Sequence, residues 1–249
     1  MRGHWCTKVA LGALGALGAL LLTGCRVDTA VEVDAGADGR GQVRTTITLD
    51  RLAADQVANV AGQQRVEDLR QAGWRVEGPE KAEDGGLRLR AVKSFSSPAG
   101  ATRAVEELAG PDGAFRSFQL TRRRTFLKTR TGLSGTVDLS RGLEGFLDPD
   151  LRARLGGAGL DAPSLERQLG VPLPEVFGFE VRAGLPGRVE GNAPDGGAVW
   201  RPKLGEALAI DARAEQWNVG GMAFAVVAVA SGVALLAVLV RRSRAISWG

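Results

Sequence analysis

Histidine is almost missing from this chain, and cysteine is scarce. The one histidine is His4, and the two cysteines are Cys6 and Cys25. His4 and Cys6 fall in an N-terminal stretch that reads as a removable signal, so the mature chain keeps no histidine and no pair of thiols. Without histidine there is no Ser-His-Asp or Cys-His nucleophile, and the commonest zinc ligand is gone. A single remaining thiol makes no internal disulfide. The acidic residues stand singly or in pairs, with no Asp-rich loop of the EF-hand type. No catalytic residue, metal site or cofactor is nominated, and the expectation is a protein that is not an enzyme. Carboxylates brought together by folding are the one enzymatic route left open.

What is present begins with the signal. Arg2 and Lys8 precede an apolar stretch from Val9 to Leu22, which closes on Leu22-Thr23-Gly24-Cys25. A basic start, a short apolar centre and small residues before the cut make a secretory signal. A cysteine directly after the small pair makes it a lipoprotein signal. Residues 1–24 are then removed, and Cys25 carries a lipid as the first mature residue.

The other end holds a longer apolar run. From Val219 to Val240 no residue is charged and only Ser231 is polar, and Arg241, Arg242 and Arg244 follow at once. As a helix, this run measures about 33 Å at about 1.5 Å per residue, enough for a hydrocarbon core of about 30 Å. Arginines flank spans on the cytoplasmic side, so residues 241–249 are expected inside, with Trp217 in the outer interfacial belt. The expected division is signal 1–24, an external α+β domain over 25–139, a Gly/Pro-rich segment with the β-rich C-terminal part over 140–216, a span over 217–240, and a tail over 241–249. Gly221 with Ala225 and Ala228 with Gly232 have the spacing that lets spans approach closely. Alanine and glycine are too common in this chain for that spacing to define a dimer.

The formal net charge is +4. Losing Arg2 and Lys8 with the signal and setting aside the three tail arginines leaves −1. The basic balance thus belongs to topology and not to a nucleic-acid-binding body.

Between the anchors the patterning is mixed. Val27, Thr29, Val31 and Val33 alternate with polar residues, and so do Val43, Thr45, Ile47 and Leu49 after a glycine-rich turn, which is a hairpin signal. Asp50 stands as an N-cap for a helix, and Gly73 as the left-handed end of a second one carrying Val66 and Leu69. Strands are expected over 74–77, 86–95 and 115–131, with a helix opening at Ser97-Pro98. In 140–174, two short helical pieces start at Asp148-Pro149 and Asp161–Pro163. Short strands follow over 177–183, 188–190, 198–201 and 207–214. Strands and helices without βαβ repetition indicate an α+β fold around a largely antiparallel sheet.

With the two termini, Ala72-Gly73-Trp74, the turn Leu185-Pro186-Gly187-Arg188-Val189, Asn192 and Trp200 resemble the LppM-type actinobacterial envelope lipoproteins. The resemblance runs over nearly the whole chain, mainly through its organisation. It implies an external α+β domain on the cytoplasmic membrane, a suspected role in the lipid envelope and no established enzymatic activity. Pro186-Gly187 suits a type II turn on its own grounds, and Trp200 reads as a core anchor.

One internal segment suggests a ligand. In Thr121–Arg130, read as one strand, Arg122, Arg124, Phe126, Lys128 and Arg130 project from one face and Arg123 from the other. Four cations in a row on a tethered domain suit anionic headgroups, with edge protection as the plain alternative. The expected function is binding of a lipid, glycolipid or envelope polymer by Arg122, Arg124, Lys128 and Arg130. The alternative is a module that tethers or regulates another membrane protein.

Overall fold

The computed structural model describes residues 26–57, 62–82, 84–109, 113–142, 166–167 and 172–246. Residues 1–25 lie outside this range, so the expected signal and the expected lipidation site Cys25 do too. The expected helical pieces at Asp148-Pro149 and Asp161–Pro163 likewise lie outside it.

The architecture is α+β, with ten strands in two sheets among the described residues. β1 (Val27–Ala35) and β2 (Gly41–Leu49) form the expected hairpin, with Val31, Val33, Ala35 and Val43 turned into the core. α1 (Arg51–Val57) starts where Asp50 Oδ1 accepts the Ala53 N–H at 2.8 Å, the N-cap bond to the third helical residue. α2 (Gly62–Gln71) ends on Gly73 at φ +86°. There the Trp74 N–H reaches Leu69 O and the Gly73 N–H reaches Arg70 O, both at 2.9 Å, which is a Schellman closure. β3 (Arg75–Lys81) and β4 (Leu87–Phe95) follow. α3 (Pro98–Ala109) buries Ala101, Ala104 and Val105, one face at i, i+3 and i+4.

β5 (Phe115–Arg124) and β6 (Lys128–Asp138) come next, then the short α4 (Leu173–Val176), β7 (Phe177–Gly184), β8 (Arg188–Gly191), β9 (Val199–Trp200), β10 (Ala207–Trp217) and α5 (Val219–Ile246). One sheet runs β3-β4-β2-β1-β7-β9 and the other β5-β6-β10-β8. All pairings are antiparallel except β1 with β7. The strands after Ser140 therefore do not stand apart. β7 and β9 extend the first sheet beyond β1, and β8 and β10 extend the second beyond β6. One hydrophobic core lies between the sheets, with Val33, Val43 and Val181 on one side and Leu133, Val137 and Ile210 on the other. The rings of Phe115 and Phe179 meet across it at 6.1 Å.

Trp200 is fully buried and donates to Asn192 Oδ1 at 2.8 Å. That oxygen also accepts the Asp211 N–H, and Asn192 Nδ2 donates to Ala209 O. Trp200 is thus pinned in the core with its one donor satisfied. Gly187 has φ +99°, and a Cβ on it would stand 2.3 Å from Glu215 O, so the turn after Pro186 needs glycine twice over.

The two ends of this sandwich differ. Val27, Leu49 and Phe177 are paired at one end, and Ala35 with Gly41 at the other. Arg122 Nε donates to Ala37 O at 2.8 Å, so β5 ends beside the β1–β2 turn. α5 leaves from that same end, directly after β10.

Candidate membrane-facing site

α5 has 28 residues, about 42 Å at about 1.5 Å per residue. Its segment Val219–Leu236 has a mean hydropathy of 2.2, and none of its residues is buried. By length and composition it can cross a membrane.

The domain grips the root of this helix. Asn218, between β10 and α5, donates from its backbone to Leu127 O and from Nδ2 to Thr125 O, each at 2.8 Å. Its Oδ1 accepts the Thr129 hydroxyl at 2.9 Å. All these partners belong to the β5–β6 hairpin, whose tip is Thr125-Phe126-Leu127. The tip lies against α5, with the Phe126 ring edge-on to Phe224 at 6.4 Å. Phe126 is nevertheless 61% exposed and Leu127 40% exposed. Trp217 is also exposed, and Lys128 Nζ stands 4.4 Å from its ring centroid, a cation–π contact.

The hairpin corrects the reading of 115–131 as a single strand, and with it the four-cation face. Thr125 makes the turn: its N–H and hydroxyl both donate to Lys128 O, and its hydroxyl accepts the Lys128 N–H. The chain then reverses, so facing residues are set by cross-strand pairing. Arg122 stands opposite Thr131 and Arg124 opposite Thr129, both threonines being buried. Arg123 stands opposite Arg130, on the outward face that also carries Lys128. The structure therefore places Arg122 and Arg124 on one face of the hairpin and Lys128 and Arg130 on the other, with Arg123 in the latter group. What it brings together is a collar of five cations around an apolar tip.

These cations are not equivalent. Lys128 and Arg130 both hold Glu215, at 3.0 and 2.6 Å. The hydrogen bond from Lys128, then that from Arg130, holds the Glu215 carboxyl below the usual carboxylate range. Arg122 is engaged with Ala37 O. Arg123 and Arg124 are exposed and take no part in the ion pairs found among the described residues.

A shallow cleft of about 580 Å³ opens at the same end, lined by Asp34, Arg40, Gln42, Ser94, Leu185 and Pro186 among others. Among the described residues no group of three or more His, Cys, Asp or Glu side chains could hold a metal ion. The residues missed in sequence are Leu127, Asn218 and Glu215, while Phe126 and Gly221 have other roles than the strand face and the helix spacing expected of them. The available signal was the apolar pair Phe126-Leu127 interrupting a run of cations and threonines.

The class of protein defined here is a two-sheet α+β domain seated on a helix long and apolar enough to span a membrane. No protein-family model matches the sequence, and no curated protein matches it. Among solved structures, the folded domain of LppM from Mycobacterium tuberculosis, determined by NMR, matches at 14% identity with a TM-score of 0.42, over 80% of this chain and 94% of that one. The likeness is a distant one.

Proposed function

We propose that this protein is a non-enzymatic, membrane-anchored envelope lipoprotein whose external domain binds the anionic headgroup of a lipid or glycolipid at its membrane-facing end. The observation that carries this reading is the convergence of the cationic collar, the cleft and the root of α5 on one end of the sandwich. A ligand bound there lies at headgroup height, where each near-surface cation adds on the order of 1 kcal/mol of attraction. α5 runs from outside to inside, with Arg241, Arg242 and Arg244 on the cytoplasmic side. Cys25 carries the second tether, a lipid. Arg123 joins Lys128 and Arg130 as a headgroup contact, and Arg124 joins Arg122 on the other flank of the hairpin.

Native mass spectrometry of the full chain, purified from its own membrane, tests the proposal. A phosphate-bearing lipid should co-purify and be depleted when Arg123, Arg124, Lys128 and Arg130 are together changed to Gln. The mass of the N-terminal peptide reads the Cys25 modification in the same sample. Identical lipid in both proteins removes the collar as the site, and recovery of a stoichiometric protein partner in place of lipid favours a tethering module.

A further inference from the structure

Soluble hairpins turn on Gly, Asn or Asp, because those residues suit the backbone and the water around it. This one turns on Thr125-Phe126-Leu127 and leaves both large apolar side chains exposed. Its position explains the choice. Phe224, which meets the Phe126 ring, lies five residues beyond Val219, about 7.5 Å further along α5 at about 1.5 Å per residue. An apolar surface lying in the membrane interface is buried by roughly 5–10 Å. If the hydrocarbon begins near Val219, the tip sits at that depth beside the helix, and its exposed face is continuous with the lipid-facing surface of α5.

We infer that the β5–β6 tip is a membrane-inserted finger: Phe126 and Leu127 enter the leaflet on the domain's side, next to α5. This rests on the reading that α5 spans the membrane, and names a lipid contact separate from headgroup binding in the cleft. The committed occupant is bilayer lipid. A protein partner would need no continuity with α5 and no ring of cations around the tip. Arg123 and Arg124, on opposite faces just above the tip, keep their heads among phosphates while their stems run along apolar surface. Trp217, with Lys128 across its ring, occupies the interfacial level above. Two contacts, a span and a finger, then hold the domain against rotation about the helix axis.

The test uses the full chain with Cys6→Ser and Cys25→Ser, reconstituted in vesicles of phosphatidylcholine with phosphatidylglycerol. Spin labels are placed singly at Phe126→Cys, Leu127→Cys, Ala228→Cys in the span, and Arg103→Cys on the exposed side of α3. Collision with oxygen reports lipid, and collision with a water-soluble nickel chelate reports solvent. Labels at 126 and 127 should favour oxygen over nickel several-fold relative to 103, though less than the label at 228. A nickel-accessible 126 with a lipid-buried 228 overturns the finger and leaves the span intact. Nickel access at both removes the span and the finger together. A 126 label reached by neither reagent means that protein covers the tip, which also overturns the inference.

Discussion

The carbonyl oxygen of Phe126 lies where a side chain on Gly221 would have to go: a Cβ there would stand 2.0 Å from it. Gly221 is thus the point at which α5 admits the hairpin, a use of its small size within the chain itself. Gly221→Ala should push the tip off the helix. Backbone displacement of this kind costs about 1–3 kcal/mol. Hydrogen exchange at Thr125–Lys128 should speed up by tenfold or more while exchange in β1 and β7 stays as it was. Unchanged exchange at the tip would show that the helix and hairpin do not meet.

Glu215 restrains the collar. Its pKa is lowered in the folded chain, so its pairing with Lys128 and Arg130 stabilises the fold above the unfolded-state pKa and fades as pH falls through the lower, folded value. At neutral pH the Glu215 carboxylate is ionised and pairs with both cations, which in the proposed function holds them back from lipid. Glu215→Gln should raise binding to anionic vesicles by roughly fivefold at pH 7, the effect of about one extra near-surface cation. The gain should shrink as salt rises, and the two proteins should converge as pH drops below the usual carboxylate range. Vesicle co-sedimentation over salt and pH series reads both, and equal binding at neutral pH would exclude Glu215 as the restraint.

Face assignment makes a sharper claim about single arginines. Arg123→Gln should weaken binding to anionic vesicles at least as much as Arg130→Gln, because the two side chains are cross-strand neighbours on one face and only Arg130 is engaged by Glu215. Were 121–130 a single strand, Arg123 would point away and its loss would matter less. Comparing the two variants in the same co-sedimentation assay distinguishes a hairpin from a strand.

Asn192, just past β8, joins β9 to β10 through its side chain. Asn192→Ala strands the indole N–H of fully buried Trp200 and frees the Asp211 N–H and Ala209 O. One buried donor without a partner costs about 1–3 kcal/mol. Urea unfolding of residues 26–217 should shift by at least this much with little change in slope, and a shift under 0.5 kcal/mol (about the size of an ordinary surface substitution) would mean water replaces the amide.

In the proposed function two tethers, a lipid on Cys25 and α5, pull on opposite ends. Arg26, next to Cys25, is pinned to Asp50 through its N–H at 2.6 Å and its carbonyl at 3.0 Å. From Val27 to Ala35, β1 covers about 27 Å at roughly 3.4 Å per residue. A lipid on Cys25 reaches the bilayer holding α5 only if the sandwich leans over. Energy transfer from a dye at Asp84→Cys, in the β3–β4 turn near the Arg26 end, to acceptors in the bilayer surface should be stronger for the lipidated chain than for its Cys25→Ser form. Equal transfer would mean that the lipid does not enter that bilayer.

Much of the local structure was legible from local physics. The alternation in β1 and β2, the Asp50 cap, the glycine closure at Gly73 and the apolar run of α5 are each set by residues within a few positions of one another. Such signals survive in a linear reading because the hydrogen bond or the buried face involves near neighbours. The pairing of β1 with β7 and of β6 with β10 joins residues 69 or more positions apart, and nothing local distinguishes one partner strand from another. The turn at Thr125 was hidden for a related reason. It carries no glycine or proline, and an apolar pair among cations and threonines is not a turn signal by composition. Only the packing of Phe126 against Phe224, and the anchoring of Asn218 to the turn, explain that pair. Local patterning alone sets an α+β domain and, among the described residues, a helix able to cross a membrane. Tertiary structure decided which cations share a face, because side-chain direction in a hairpin follows the register of pairing across strands and not the count along one.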